Sequence, residues 1–369
     1  MTMKTCLPKY RVLFVCKRRH SSYGISVGLI NSATFVSNVL NHHGIESKVA
    51  IVHDANGIDR EVYQFKPTHI IIEALWVTPA KMDVLLQMYR KQQWVVRIHS
   101  KAAFIANEGI AFEWLSEYAH RLVPKHKNLL LSSNNAEFNE ELSELMGIAA
   151  VYLPNIYQPR ELLDLPAKKS DQDVIDIGCF GAIRPLKNQL VQAIAAIRFG
   201  NRLQKKIRFH INAERVEHGE NVLRNLRATF RYSNHELVEH GWLAHADFLK
   251  LVRKMDIGMQ VSLSESFNIV AADMVIEDVP VVVSDEINWL PWICQADPKD
   301  SEDIIDKLFL AYHGRKFGIT ILNRWALRYN NFVNTKIWMA YFVKYFFDNM
   351  DRRTGSAKAA PKLSPPARR

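Results

Sequence analysis

The sequence has few cysteines and no long apolar run, and each shortage excludes a class of protein. Its four cysteines, Cys6, Cys16, Cys179 and Cys294, are scattered without a CxxC pairing, which argues against a zinc site and a disulfide framework. No run of about 18 or more apolar residues appears, so no membrane-spanning segment is predicted. The opening stretch MTMKTCLPKYRVLFVCKRR lacks the apolar core and cleavage site of a signal peptide. We therefore expect a cytosolic (cytoplasmic) protein with reduced thiols.

The positive charge is unevenly placed. The chain has a formal net charge of +10, and residues 351–369 hold six Lys and Arg against one Asp. That segment is rich in Pro and Ala with a single Leu, so it is predicted to be a disordered basic tail. Such a tail suits a nucleic acid or a membrane surface, or is simply a solvated end.

Length and patterning predict two α/β domains, because 369 residues exceed one ordinary compact core. In the first half short apolar runs alternate with amphipathic stretches, a pattern typical of a doubly wound parallel sheet with helices on both faces. The predicted strands are 10–16, 47–52, 69–75, 94–100 and 128–133, and the predicted helices are 28–44, 78–92 and 108–122.

The pattern pauses at residues 153–173, which contain three prolines, and then restarts. This places the first domain at 1–157, the linker at 158–173 and the second domain at 174–334. Further strands are predicted at 174–181, 205–212, 236–243, 255–262 and 279–285. A helix follows at 321–348, and most of its aromatic side chains are expected to pack in the core. Two such domains facing each other form a cleft at the carboxyl ends of their strands.

The stretch FGAIRPLKNQLVQAI, residues 180–194, has the composition of a phosphate site. A strand ends near Gly181, a short loop carries Arg184 and Lys187, and a helix begins. Free amides at a helix start attract anions, and Arg and Lys add positive charge. Taken alone, such a loop would more often be two solvated cations.

A second stretch, SLSESFNIVAADMVIEDVPVVVSD at residues 262–285, contains two acids in an apolar run. Glu265 follows a strand, and Ser266, Phe267 and Asn268 supply amides at the start of the next helix. Asp273 lies about two turns further on. A carboxylate that accepts from vicinal hydroxyls is the usual way a dinucleotide fold holds ribose. The alternative is a helix cap and a satisfied core acid.

Together, GAIRPLKN and HGWLAHADFLKLVRKMDIGMQVSLSESFNIVAADMVIEDVPVVVSD resemble the GT-B glycosyltransferases of the retaining family 4 type. The resemblance is strongest over residues 175–300. It implies a GT-B fold with Rossmann-like domains, a C-terminal helix at about 335–350 that crosses back to the first domain, and a nucleotide-sugar donor, a UDP-sugar such as UDP-glucose. It also implies retention at the transferred sugar. No cofactor other than this co-substrate is expected.

The resemblance assigns roles residue by residue. Arg184 and Lys187 would contact the donor diphosphate, Glu265 the sugar hydroxyls and Asp273 the ribose. The amides of Phe267, Asn268 and Ile269 would meet the diphosphate and sugar, and Trp242 and Leu243 would flank the nucleobase. The chain departs from the family in two places. Asp273 is one methylene shorter than the usual Glu, and the first-domain loop has Gly24, Ser26 and Gly28 in place of a double glycine.

His99 follows a first-domain strand and resembles the family histidine that lines the sugar pocket; the alternative is a structural histidine. With Arg184, Lys187 and Glu265 it completes the predicted catalytic set. No metal is predicted, because the cations and helix dipole can offset the charge of the leaving group.

The first strand runs directly into basic residues, which are predicted to lie beside the acceptor. They are Lys17, Arg18, Arg19 and His20, close to Tyr23. This cluster suits a phosphate backbone or an anionic glycolipid, unless it is a solvated turn.

The sequence therefore predicts a glycosyltransferase that acts on a hydroxyl acceptor, with DNA carrying a hydroxylated base as the first choice, as in viral DNA modification. A glycan or glycolipid acceptor is the alternative. A nucleotide-sugar epimerase and a non-catalytic binding module on the same fold are further hypotheses, and no feature of the sequence specifies an oligomeric state.

Overall fold

The computed structural model describes residues 10–18, 27–107, 109–157 and 173–354. Within them the chain forms two parallel sheets, of six strands in the order β2-β1-β3-β4-β5-β6 and of five in the order β11-β10-β7-β8-β9. The first sheet comprises β1 (Arg11–Lys17), β2 (Glu46–Val52), β3 (His69–Glu73), β4 (Gln93–Ile98), β5 (Leu129–Ser133) and β6 (Val151–Tyr152). The second comprises β7 (Val174–Gly178), β8 (Lys206–Asn212), β9 (Glu236–His240), β10 (Ile257–Gln260) and β11 (Val281–Val283).

Helices connect the strands and cover both faces of each sheet. In the first domain they are α1 (Val27–His42), α2 (Gly57–Phe65), α3 (Pro79–Met88), α4 (Ala102–Ile105), α5 (Ala111–Glu117), α6 (Val123–Lys125) and α7 (Ala136–Met146). After the linker come α8 (Gln189–Leu203), α9 (Glu220–Arg231), α10 (His245–Val252), α11 (Ile269–Ile276), α12 (Ser301–Gly314) and α13 (Ile319–Thr354).

The predicted fold class is confirmed: both halves are α/β units built on a parallel sheet. Both faces of the first sheet are buried. In β1, Leu13 and Val15 pack on one face of the sheet, and Val12 and Phe14 pack on the other. All ten predicted strands are present within a few residues of their expected ends. The two-residue strand β6 was not predicted, since so short a run leaves no pattern.

The prediction of one continuous helix at 108–122 is wrong. It is divided into α5, a π-helical turn at Tyr118–Leu122 and α6. Pro124 explains the interruption, because it lacks the amide hydrogen that an α-helix would bond four residues back.

Helix α13 connects the two domains. Near its start Ile319 and Leu327 pack in the core of the second domain, and further along Trp338 and Phe342 pack in that of the first. The Trp338 indole Nε1 also donates to the carbonyl of Pro154 at 2.8 Å. Neither α13 nor any other helix in the described ranges combines the length and apolar character needed to cross a membrane.

Two expectations about the C-terminal region differ from the structure. The helix is continuous from Ile319 to Thr354, so it extends beyond both predicted ends. Most of its aromatic side chains were expected in the core, but Trp325, Tyr329 and Phe332 are exposed. Residues 355–369 of the predicted tail and 158–172 of the predicted linker lie outside the described residues.

Candidate functional site

A cavity of about 270 Å³ lies between the two domains. Its walls come from the loops after β3 and β4 in the first domain and after β7, β8 and β10 in the second. Strands of a parallel sheet end at a common edge, so these loops converge. The four residues predicted to be catalytic, His99, Arg184, Lys187 and Glu265, all line this cavity.

Glu265 and Lys187 form an ion pair inside the cavity. Lys187 ends a short 3₁₀ turn, Pro185–Lys187, and its Nζ donates to Glu265 Oε1. The backbone amide of Glu265 donates to Glu286 Oε2 at 2.9 Å, which fixes the loop that carries it. The Lys187 and Glu265 side chains are only 16% and 12% exposed, so water screens the pair weakly.

Arg184 lies at the boundary between the domains. Its guanidinium pairs with Glu217, which also holds Arg215 at 2.6 Å. The Arg184 guanidinium carbon lies 5.1 Å from the ring centre of Phe104, which belongs to the first domain. Its Nε atom is buried and has no hydrogen-bond partner among the described residues. Arg215 and Glu217 were missed by sequence reasoning, although both follow β8 closely enough to have been candidates.

The cavity lining is net positive. Five Lys and Arg side chains line it against two carboxylates, those of Glu73 and Glu265; the cations are Lys17, Lys101, Arg184, Lys187 and Arg215. Cations gathered in a poorly solvated space favour a ligand with several negative charges, such as a diphosphate.

The start of α11 follows the 264–266 segment of this wall, while Phe267 and Asn268 themselves do not line the cavity. Asn268 adopts a left-handed backbone with φ of 62°, which Asn tolerates better than most residues, and its side chain caps the helix by accepting from the Ala271 amide at 2.9 Å. The Phe267 ring packs against Trp289. The first amides of α11, beginning with Ile269, have no carbonyl partner within the helix.

Two contacts of Ser266 connect the domains at this point. Its hydroxyl donates to the carbonyl of His99 at 2.9 Å and accepts from Asn134 Nδ2 at 3.2 Å. These bonds hold the loop of Glu265 against the end of β4. Asn134 was not predicted, although it directly follows β5.

His99 has both ring nitrogens engaged by the protein. Nε2 pairs with Glu73, and Asn134 Nδ2 lies 3.3 Å from Nδ1, which assigns the proton of a neutral ring to Nε2. Burial lowers the pKa of His99 and so favours this neutral form. The structure thus places His99 beside the cavity as a neutral, internally bonded ring, while its predicted catalytic role stays a prediction.

Behind His99 lies a fully buried ion pair that the sequence reading missed. Arg97 Nη1 lies 3.0 Å from Glu73 Oε2, and both side chains are 0% exposed. Burial alone would raise the pKa of Glu73, but Arg97 and His99 hold that pKa below its usual range. Arg97 also donates to Leu153 O at 2.8 Å and Asn155 Oδ1 at 2.6 Å. The sequence signal that could have revealed this pair is an arginine in the middle of a predicted buried strand.

A second, smaller pocket of about 90 Å³ lies on the other side of the α11 start. It contains the remaining predicted donor residues for which the structure gives positions, and it is lined by Gly28, Asn31, Gly181, Asn212, Trp242, Leu243, His245, Phe248, Ile269, Val270 and Asp273. Gly181 has a φ of +114°, a conformation that favours glycine. Glu265 therefore faces the larger cavity and Asp273 the smaller pocket, with the start of α11 between them.

Asp273 is held by two groups that were not predicted. The Tyr157 hydroxyl donates to Oδ1 at 2.6 Å, and His245 Nε2 lies 2.8 Å from the same oxygen. The side chain is 2% exposed, and burial raises its pKa. Oδ2 has no hydrogen-bond partner within the described part of the chain.

Asp273→Asn is expected to raise the melting temperature at neutral pH. Because burial raises the pKa of the folded Asp273, ionisation opposes folding above that pKa, whereas in acid both folded and unfolded chains carry the proton. Asn can still accept both hydrogen bonds. Melting curves of the two proteins, recorded from neutral pH to about pH 4, should converge as the pH falls. A variant that is less stable at neutral pH would contradict the assignment.

The predicted acceptor cluster is only partly described. Lys17 lines the cavity, with its Nζ 5.8 Å from the centre of the Trp76 ring. The Arg18 amide donates to Val52 O at 2.7 Å, and its side chain is exposed. Arg19, His20 and Tyr23, together with Gly24 and Ser26 of the predicted donor loop, lie outside the described residues.

Within the described ranges, the structure shows the arrangement of potential metal ligands and of three cysteines. Those residues contain no group of three or more His, Cys, Asp or Glu arranged to hold a metal ion. The absence of a metal from the reaction remains a prediction. Cys16, Cys179 and Cys294 are buried free thiols, and Cys6 lies outside the described residues.

Comparison with known proteins supports the architecture. No protein-family model and no curated protein matches the sequence. Among solved structures, a glycosyltransferase from Rickettsia africae ESF-5 is 14% identical with a TM-score of 0.63, over 93% of this chain and 100% of that one. A UDP-forming α,α-trehalose-phosphate synthase from Burkholderia xenovorans is 11% identical with a TM-score of 0.60, over 94% and 100%.

A trehalose-6-phosphate synthase studied for glycosyl transfer with retention is 10% identical with a TM-score of 0.59, over 90% of this chain and 99% of that one. At such low identity these likenesses show the fold. The chain has the two-domain GT-B architecture.

Proposed function

We propose that the protein is a glycosyltransferase that moves a sugar from a nucleotide-diphosphate donor to a hydroxyl acceptor. The observation that carries the proposal is the pairing of Glu265 with Lys187 in a positively charged interdomain cavity, next to a second pocket that contains Asp273. The larger cavity suits the diphosphate and sugar, and the smaller pocket suits the nucleoside. The start of α11 would lie against the diphosphate between them.

The proposed reaction breaks the bond between the anomeric carbon and the diphosphate oxygen and forms one to the acceptor oxygen. Negative charge grows on the leaving diphosphate, where Lys187, Arg184 and the free amides of α11 would stabilise it. Glu265 would hold the sugar hydroxyls. With retention, the acceptor approaches from the face that the diphosphate leaves, and its hydroxyl proton passes to the departing phosphate oxygen.

For the donor we propose a UDP-sugar with transfer by retention. A similar solved structure is described as UDP-forming, and another was studied for transfer with retention. Both properties belong to those proteins and come to this chain as part of the proposal. UDP-glucose is the first donor to test.

A thermal-shift screen of nucleotide sugars tests donor binding. We expect a UDP-sugar to raise the melting temperature by mass action and GDP- or ADP-sugars to have less effect. Lys187→Gln should reduce the shift, whereas Lys250→Gln, whose lysine pairs with Asp247 at 2.8 Å, should keep it. An unchanged melting temperature with every nucleotide sugar would favour the non-catalytic module. If the donor is instead recovered in epimerised form after incubation with the protein, the epimerase hypothesis is favoured.

For the acceptor we propose DNA carrying a hydroxylated base as the first class, supported by Lys17 at the cavity. A duplex base would have to be reached in the major groove or flipped out. A glycan or glycolipid is the second class, and the exposed face of α13 described below favours its lipid form. Mass spectrometry of each acceptor after incubation with UDP-glucose distinguishes the classes.

A further inference from the structure

One face of α13 exposes large apolar side chains to solvent. Trp325 is 63% exposed, Tyr329 70% and Phe332 57%, and the aliphatic Ile321 and Leu322 of the preceding turn are 53% and 46% exposed. We refer to these five side chains as the α13 stripe. Scattered exposed apolar residues are common, but a continuous row of this size marks an interaction surface.

Helical geometry places the stripe on a single face. At 100° per residue its members fall within an arc of about 100°. The opposite arc holds Asn323, Leu327, Asn334 and Trp338, all of which are buried against the two domains. The exposed row is therefore a second apolar face on a helix whose other face is already packed.

Cations border the stripe on the same face. The Arg328 guanidinium carbon lies 6.0 Å from the Trp325 ring centre, and Lys336 Nζ lies 4.1 Å from that of Phe332. Both side chains are exposed. Residues 307–347 contain no Asp or Glu, so the part of α13 that carries the stripe supplies no acid to neutralise this face.

The charge of the whole chain is concentrated in this region. Residues 307–369 hold thirteen Lys and Arg against two Asp, whereas residues 1–306 hold thirty-five cations against thirty-six acids. The net charge of +10 therefore arises entirely from the C-terminal 63 residues, and the remainder is close to neutral. This distribution of positive charge complements an anionic binding partner.

We infer that the α13 stripe docks the protein onto an anionic lipid surface. Trp and Tyr favour the interface between headgroups and acyl chains, aliphatic residues favour the acyl region, and Lys and Arg favour anionic headgroups. A polynucleotide would accept the aromatic rings and cations but offers no apolar phase for Ile321 and Leu322. An anionic bilayer matches both properties, and the inference holds whether or not the protein transfers sugars.

Vesicle co-sedimentation with the full chain tests this inference. We expect binding to vesicles of phosphatidylcholine mixed with phosphatidylglycerol, and much weaker binding to phosphatidylcholine alone. Trp325→Ser and Lys336→Glu should each lower the affinity about fivefold or more. The matched controls Tyr232→Ser, at an aromatic residue that is 92% exposed, and Lys91→Glu, at an exposed lysine of the first domain, should bind as the wild type does.

Several results would overturn the inference. They are equal binding by wild type and stripe variants, equal binding to both vesicle types, and retention on duplex DNA but not on vesicles. A stripe-dependent dimer that does not bind lipid would also overturn it. Because all four substituted side chains are exposed, melting curves should be unchanged, which separates loss of docking from loss of folding.

Discussion

Replacing Glu265 with Gln is expected to lower the rate of sugar transfer by about a hundredfold or more while the protein stays folded. The carboxylate lines the interdomain cavity and is paired with Lys187. Gln has nearly the same shape but no charge, so it weakens the contacts to sugar hydroxyls and leaves Lys187 without its counter-charge. The measurement is the steady-state rate of nucleoside-diphosphate release with acceptor present, beside a thermal melt of each protein.

Glu277→Gln is the matched control for that loss. Glu277 follows α11 directly, is also largely buried and pairs with Arg253 at 2.5 Å, but it does not line either pocket of the candidate site. Its variant should transfer sugar at close to the wild-type rate. If Glu265→Gln retained full activity, the assignment of Glu265 to the donor site would be wrong.

Replacing Arg97 with Met is expected to lower the free energy of unfolding by about 3–5 kcal/mol. Both Arg97 and Glu73 are fully buried, so removal of the guanidinium leaves a buried carboxylate without its partner. The change also removes the hydrogen bonds that Arg97 donates to Leu153 and Asn155 at the end of the first domain. Urea denaturation of the two proteins measures the difference.

The double variant Arg97→Met with Glu73→Leu separates charge from packing. Replacing both partners of a buried pair with apolar residues is often nearly neutral, so we expect it to recover most of the lost stability. The Glu73→Leu change also removes the carboxylate that fixes the ring of His99. A change below about 1 kcal/mol for Arg97→Met alone would show that the pair does not determine the stability of this domain.

The fold was predictable from the sequence because strands that are buried on both faces of a sheet appear as short apolar runs. Strands such as HIIIE at β3 have an apolar centre and are buried at every residue, and the helices between them have a different period. Interruptions of helices and exposed helix faces were harder to predict. The division of the 108–122 helix depends on how one proline is accommodated, and the exposed face of α13 depends on which side the two domains already occupy.

The candidate site was predictable for charged and His residues in the loops at the carboxyl ends of the strands. His99, Arg184 and Glu265 lie in such loops, and the topology brings all three to one cavity. The partners of Asp273 could not be found in this way: Tyr157 lies 116 residues away in sequence and His245 lies 28 away, and neither carries a motif. The contact with Tyr157 depends on how the two domains pack, and the contact with His245 depends on how α10 packs against α11. No local pattern encodes either.

The most direct test of the proposed activity is transfer itself. Wild-type protein and Glu265→Gln are incubated with UDP-glucose and, separately, with hydroxymethylated DNA, a glycan and a glycolipid in vesicles, and both UDP and the glucosylated acceptor are quantified. We expect wild type to release UDP and to add one glucose to one acceptor class, with both products greatly reduced in the variant. Equal UDP release by both proteins, or none with any nucleotide sugar and any acceptor, would contradict the proposed activity.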